Sequence, residues 1–343
     1  MITRSRFLQA LAGGAGALAL AGCGAQKAAD AGDEGKKDAA AEPVAVRAAA
    51  LKGPTAMGLV KFMSEVDAGN LKDEDYSFQI LASADEVAPL ISKSEADIAA
   101  VPANLASVLY NKSSGAVRVI AVNTLGVLYI CELGDTVNTV ADLRGKTIFS
   151  AGKGATPEYA LEYVLRANGL DPAADVTIEW KSEHAECVAA LAQDATAIAM
   201  LPQPFVTTAQ AKNDQIRVAL DLNQEWAAAC EAEGRDGKLI TGVAVVRSEF
   251  ADAHPEAVDA FLGHYRESVE FVNANTDEAA ALVGGYDIVP EAVAKKALPA
   301  CNITFVDGAD MKAQLSGYLE VLADQNADAV GGKLPGDDFY YGA

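Results

Sequence analysis

Two apolar stretches, VRVIAVNTLGVLYICE (117–132) and LITGVAVVR (239–247), decide the architecture. Both are too uniformly apolar for half-exposed strands, in which polar and apolar residues alternate. Near-continuous apolar runs belong to strands covered on both faces. The first stretch is interrupted only at Asn123-Thr124. Its length suits two strands in series, or one strand crossing between two lobes. The second stretch is again placed to cross.

Around these runs the chain alternates strand and helix patterns, the signature of an α/β architecture. Before the first run, strands are expected at 44–51, 76–81 and 97–101, with helices at 55–66, 85–92 and 103–110. Between the runs, strands are expected at 147–150, 176–180, 197–201 and 216–220. The intervening helices are expected at 157–168, at 183–193 and after Pro204. Thr156 is placed to cap the second-lobe helix, with Pro157 at its first position and Asn168-Gly169 closing it. After the second run the chain reads as mainly helical. Val258, Phe261, Leu262, Tyr265, Val269 and Val272 recur at helical spacing, and further helices are expected at 276–283, 290–298 and 309–324. The expectation is two α/β lobes joined by two crossings: residues 43–122 plus 243–343 form the first and 123–242 the second. A cleft between such lobes is the natural ligand site, closing by hinge motion.

The amino-terminal residues have a different composition. Arg4 and Arg6 precede an apolar, glycine-rich segment from Phe7 to Leu20 that ends in Leu20-Ala21-Gly22-Cys23. The segment is short for a membrane span, which needs roughly 20 apolar residues, and has the parts of a secretory signal. The last four residues resemble the bacterial lipobox, in which the signal is cut before the Cys and that Cys is acylated. Residues 1–22 are then a signal peptide, Cys23 is the lipidated residue (diacylglyceryl and palmitate), and the protein is extracytoplasmic and anchored to the cell membrane. Residues 24–42, GAQKAADAGDEGKKDAAAE, contain no aromatic, Leu, Ile or Val. Such a stretch cannot bury a core and reads as a disordered linker, with a reach on the order of 25 Å.

The formal charge is −21; loss of Arg4 and Arg6 with the signal takes it to −23 (−21 less two positive charges). That acidity argues against nucleic-acid partners. Of the five cysteines, Cys131, Cys187, Cys230 and Cys301 remain after Cys23. An exported chain permits disulfides; Cys187 with Cys230 is the favoured pairing, and buried free thiols are the alternative. No Cys pair has CxxC spacing, and His184, His254 and His264 are scattered, so no metal site or cofactor is expected. No GxSxG nucleophile elbow occurs. GKGAT (152–156) lacks P-loop spacing, because Gly154 follows Lys153.

DIAAVPAN (97–104), DLRGKTIFSAG (142–152) and LPQPFVTTA (201–209), in that order and behind a lipobox, resemble the solute-binding lipoproteins of ATP-driven (ABC) importers. The similarity is to the branch for nitrate, aliphatic sulfonates, taurine and thiamine-pyrimidine precursors, and it spans about residues 43–330. It implies the two-lobed type II periplasmic-binding-protein fold and a non-enzymatic role. The protein would be a monomer that captures a small anionic organic solute and delivers it to an ABC importer permease. Two alternatives stay open: an enzyme on the same fold, such as those resembling menaquinone-pathway enzymes or a pyrimidine synthase, and a sensory surface lipoprotein. The synthase's Cys-rich motif is absent, and both enzyme types are cytosolic, against the signal segment.

In such folds ligands meet the carboxyl ends of strands and the amino ends of the following helices, which offer unpaired N–H groups and partial positive charge. Four loops occupy that position. They supply Lys52, Gly53, Pro54 and Thr55; Ala103 and Asn104 after Pro102; Gly152, Lys153, Gly154, Ala155 and Thr156; and Gln203 between Pro202 and Pro204. Asn123, Thr124 and Thr241 sit at the crossings. Thr55 and Thr156 are equally placed to cap helices, Lys52 and Lys153 to pair with an anion or remain solvated, and Tyr129 to stack on a ligand or pack in the core.

Overall fold

A computed structural model describes residues 43–343, apart from 195 and 236. The signal peptide, Cys23 and the linker lie outside the described residues. The strands are β1 (Ala45–Leu51), β2 (Asp75–Leu81), β3 (Ile98–Pro102), β4 (Val117–Leu125), β5 (Leu128–Glu132), β6 (Thr147–Ala151), β7 (Thr177–Lys181), β8 (Ile198–Pro202), β9 (Arg217–Asp221), β10 (Ile240–Arg247) and β11 (Ile303–Val306). They form a six-stranded sheet, β11-β4-β10-β3-β1-β2, and a five-stranded sheet, β7-β6-β8-β5-β9. In the first sheet β1 runs parallel to β2 and β3, and β10 runs antiparallel to β3 and β4. In the second, β6 is parallel to β7 and β8, and β5 is antiparallel to β8 and β9.

The helices are α1 (Pro54–Met57), α2 (Val60–Asp67), α3 (Val87–Ser92), α4 (Ala103–Lys112), α5 (Thr156–Ala167), α6 (His184–Gln193), α7 (Phe205–Lys212), α8 (Leu222–Ala232), α9 (Ser248–Ala253), α10 (Pro255–Ala274), α11 (Thr276–Gly285), α12 (Glu291–Ala297) and α13 (Gly308–Gln325). None among the described residues is long and apolar enough to cross a membrane.

The long run 117–132 resolves into two strands in different sheets, with only Gly126 and Val127 between them. A side chain at 126 would come within 2.7 Å of Asn223, so glycine is what lets the crossing lie against α8. The second run forms β10, central in the six-stranded sheet, and nearly all of it is buried. The edge strand β2 shows alternating exposure instead, as a strand with one wet face should.

Three apolar clusters fill the layers. One covers a face of the six-stranded sheet with Val46, Ala48 and Ala50 against Phe62, Phe261 and Tyr265. A second lies under β8 and α6 with Ala199, Leu201, Cys187 and Val188. The third joins both sheets: Val119 and Val122 share it with Ile130, Ile148 and Met200, and Leu315, Tyr318 and Leu322 of α13 complete it. Asp97, fully buried, fixes the amino end of the six-stranded sheet by accepting from Arg47 at 2.8 Å and Arg247 at 3.1 Å. Burial opposes its charge, but those hydrogen bonds hold its carboxyl below the usual carboxylate range.

Several expectations are corrected. The helix expected over 55–66 is two helices, parted at Gly58, where a Cβ would stand 3.1 Å from Ile303 and 3.2 Å from Val269. Neither Thr55 nor Thr156 caps a helix, because Gly53 and Ala155 occupy those positions. Cys187 and Cys230 are not bridged: Cys187 is a buried free thiol in the cluster under α6, and Cys230 lies 3.4 Å from the Tyr163 hydroxyl in the joint cluster. α8 and β11 were not foreseen. The signals for α8 are the Asp221 side chain accepting from Asn223 N and the buried series Leu222, Trp226, Ala229, Cys230.

Candidate ligand cleft

Strand direction brings the carboxyl ends of β1, β3, β6, β7 and β8 to one cleft of about 260 Å3. Each of these strands feeds a helix, and residues at the strand–helix junctions line the cleft. Gly53, Pro54 and Thr55 open α1, and Pro102 precedes α4. Ala155, Thr156 and Pro157 open α5; His184 opens α6; Pro204 and Phe205 open α7. Leu51, Val127, Leu128, Pro202, Gln203, Lys52 and Thr241 complete the lining. α4, α5, α6 and α7 are long enough to present a partial positive charge at their amino ends.

The polar groups are few. Lys52 is the only cation and no carboxylate lines the cleft among the described residues; Lys52 Nζ reaches Asp287 at 3.2 Å, and that carboxylate is fully exposed. Thr55 donates to Leu51 O at 2.9 Å, so its hydroxyl proton is already used. Gln203 accepts from Thr207 Oγ1 at 2.9 Å and Thr207 N at 3.3 Å, and its own N–H donates to Val127 O in the crossing. Its Nε2 makes no hydrogen bond to another described residue. Thr241 Oγ1 is enclosed without a partner among the described residues. An enclosed hydroxyl without a partner costs about 1–3 kcal/mol, which a hydrogen-bonding ligand would remove.

Of the residues expected from sequence, Lys52, Gly53, Pro54, Thr55, Ala155, Thr156, Gln203 and Thr241 come together here. The others lie elsewhere. Gly152, Lys153 and Gly154 form a turn before α5; the Glu158 carboxylate accepts the Gly154 N–H at 2.6 Å, and Lys153 is exposed. Ala103, the first residue of α4, is fully buried. Asn123 and Thr124 are buried and bonded to each other at 3.0 Å, packed where β4 bulges against Gly242 of β10.

Asn104 sits behind the cleft wall in a buried polar chain. Its Oδ1 is 3.4 Å from Thr156 Oγ1, which is 3.0 Å from the Tyr318 hydroxyl. That chain ties α4 to α5 and α13. Tyr129 packs in the core and donates to Ala300 O at 3.0 Å, rather than lining the cleft.

Leu51, Val127, Leu128, Pro157, His184 and Phe205 were missed. His184 obeys the strand-end rule, since it opens the helix after β7. Its ring lies 5.2 Å from that of Phe205. Burial pushes its pKa down to about 4, so the imidazole is neutral at ordinary pH.

A larger groove, of about 830 Å3, lies at the opposite end of the six-stranded sheet, beside Lys93, Lys112, Val117 and Arg247. It is bordered by the carboxyl ends of α3 and α4, whose partial negative charge the two lysines offset. Ser248 and Glu249, which open the short helix α9, also line it.

A family model described as NMT1/THI5 like matches residues 62–279. The chain belongs to the NMT1/THI5-like family. No curated protein sequence matches it. Among solved structures, this NMT1/THI5-like protein is similar to an ABC transporter from Parabacteroides distasonis (TM-score 0.72, 20% identity, covering 87% of this chain and 98% of that one). It is also similar to the periplasmic aliphatic sulphonate binding protein SsuA from Escherichia coli (TM-score 0.67, 16% identity, 86% and 92% covered). A third is the alkanesulfonate-binding protein SsuA from Xanthomonas axonopodis pv. citri bound to MOPS (TM-score 0.63, 17% identity, 86% and 96% covered). What the chain shares with these structures is the two-lobed type II periplasmic-binding-protein fold.

Proposed function

We propose that this NMT1/THI5-like protein is an extracytoplasmic solute-binding lipoprotein. It captures a small organic anion between its two lobes and delivers it to the permease of an ABC importer. The observation that carries this reading is the meeting of the α4, α5, α6 and α7 amino ends at one cleft that holds a lysine and, among the described residues, no carboxylate. Helix amino ends and an ammonium group favour a negative or strongly accepting group. The walls of Leu51, Pro54, Val127, Leu128 and Phe205 favour a carbon body attached to it. The named ligands of the sulfonate-binding neighbours support the same class of solute.

Lipid on Cys23 and the linker behind it would hold the two-lobed trap close to its permease and raise its effective concentration there. Lining residues from both sheets would close on the solute, so that neither lobe alone binds it tightly. Among the described residues the cleft lining holds no carboxylate and His184 hydrogen-bonds none, which supports capture rather than catalysis.

A thermal-shift screen of the purified protein against alkyl and aryl sulfonates, carboxylates, nitrate and sulfate tests the reading. A ligand at 100 times its Kd should stabilise the fold by about 2.7 kcal/mol. A protein whose melting point none of these compounds raises at millimolar concentration contradicts it.

A further inference from the structure

We propose that His184 reads an uncharged hydrogen-bonding group on the ligand, restricting the cleft to organic acids that carry such a group on an apolar body. This rests on the solute-capture reading above and names its substrate class more narrowly.

His184 and Lys52 reach the cleft from different sheets: Lys52 follows β1 of the six-stranded sheet, and His184 follows β7 of the five-stranded one. A ligand that spans the cleft can set its acidic end at Lys52 and a second polar group at His184. The His184 ring is held against Phe205, 5.2 Å between centroids with 42° between planes. Neither ring nitrogen hydrogen-bonds another described residue, and Nδ1 is enclosed without a partner. With Nδ1 enclosed, Nε2 is the nitrogen left for a molecule in the cleft.

A histidine kept for structure ordinarily gives one nitrogen to a carbonyl or carboxylate, which fixes its tautomer. His184 has no such anchor. Its ring is uncharged because burial, and no neighbouring charge, sets its titration. The positive end of α6 beneath it acts in the same direction. A neutral imidazole offers one donor and one acceptor. It brings no charge to an oxyanion, while Nε2 can donate to or accept from a ligand hydroxyl or amide, according to its tautomer. A bare inorganic oxyanion would also leave Leu51, Pro54, Val127 and Leu128 without carbon to cover them.

Calorimetry on the wild type, His184→Phe and His184→Gln tests this with matched probes. The pairs are propane-1-sulfonate with 3-hydroxypropane-1-sulfonate, butyrate with 4-hydroxybutyrate, and benzoate with 4-hydroxybenzoate; nitrate and sulfate complete the set. The wild type should bind the hydroxylated member of at least one pair about tenfold tighter than its parent, the worth of one good hydrogen bond. His184→Phe keeps the ring contact and should bring that ratio to within about twofold, and His184→Gln, which restores a donor and an acceptor, should recover part of it. Equal binding of both members of every pair by the wild type overturns the inference and leaves solute capture standing. So does a preference that survives His184→Phe, or nitrate or sulfate binding tightest of all. A wild type that binds none of the probes overturns the capture reading and this inference together.

Discussion

Replacing Thr156 with valine removes one hydroxyl and almost no volume from the chain that ties α5 to α13 and α4. The hydroxyl is buried, 3.0 Å from the Tyr318 hydroxyl and 3.4 Å from Asn104 Oδ1. Tyr318 is fully buried and makes no other hydrogen bond to a described residue, so the substitution strands its O–H. Stranding one buried hydroxyl costs about 1–3 kcal/mol, and the longer contact to Asn104 adds little. We expect a loss of about 2 kcal/mol, or about 4 °C in Tm for a chain of this size. Tyr318→Phe should cost less, about 1 kcal/mol, because the Thr156 hydroxyl keeps Asn104 as a partner. In the double variant both partners are gone, and the loss should fall short of the sum by about 1 kcal/mol. Urea denaturation of the four proteins measures this cycle. Losses that add to within about 0.3 kcal/mol would refute the pairing, and with it the role given to Thr156 at the seam between the lobes.

Asp97→Asn should cost about 3 kcal/mol at neutral pH, the lower end for breaking a buried pair, because the Arg47 side chain is 43% exposed. The Asp97 pKa is depressed in the fold. Its contribution is therefore full above the unfolded value of about 4 and is lost as pH falls through the folded value. Denaturation at pH 7 and between about pH 2 and 4 should show the variant's deficit shrinking in acid; a deficit independent of pH refutes the assignment. Gly126→Ala should destabilise by about 1–3 kcal/mol, since its Cβ would meet the Asn223 side chain at 2.7 Å. Adding Asn223→Ala to that variant should restore part of the loss in the same denaturation assay, and absence of rescue would place the strain elsewhere. Lys52→Met should weaken binding of any sulfonate or carboxylate found by the thermal-shift screen by about tenfold or less, because Lys52 is partly exposed; unchanged affinity would remove Lys52 from the site.

The layered architecture was legible because buried strands leave apolar runs that survive without any neighbour in view. β3, β4, β8 and β10 each read as strands for that reason. β11 was not, being four residues long and followed directly by a helix. The break at Gly58 is imposed by Ile303 and Val269, far away in sequence. In the cleft, the strand-end rule leads to Lys52, Thr55, Thr156 and Gln203, and followed after β7 it leads to His184. What it does not show is which loop N–H groups are already satisfied. Glu158 folds back on Gly154, and the β4 bulge turns Asn123 and Thr124 inward. Both are tertiary facts that composition and spacing do not encode.

Hydrogen–deuterium exchange with and without a solute identified by the thermal-shift screen tests capture between the lobes most directly. Bound solute should protect peptides covering 51–57, 155–159, 184–188 and 203–207 together, because these line the cleft from both sheets. Protection confined to one sheet's loops, or centred on the groove at 88–94 and 112–117, would contradict it.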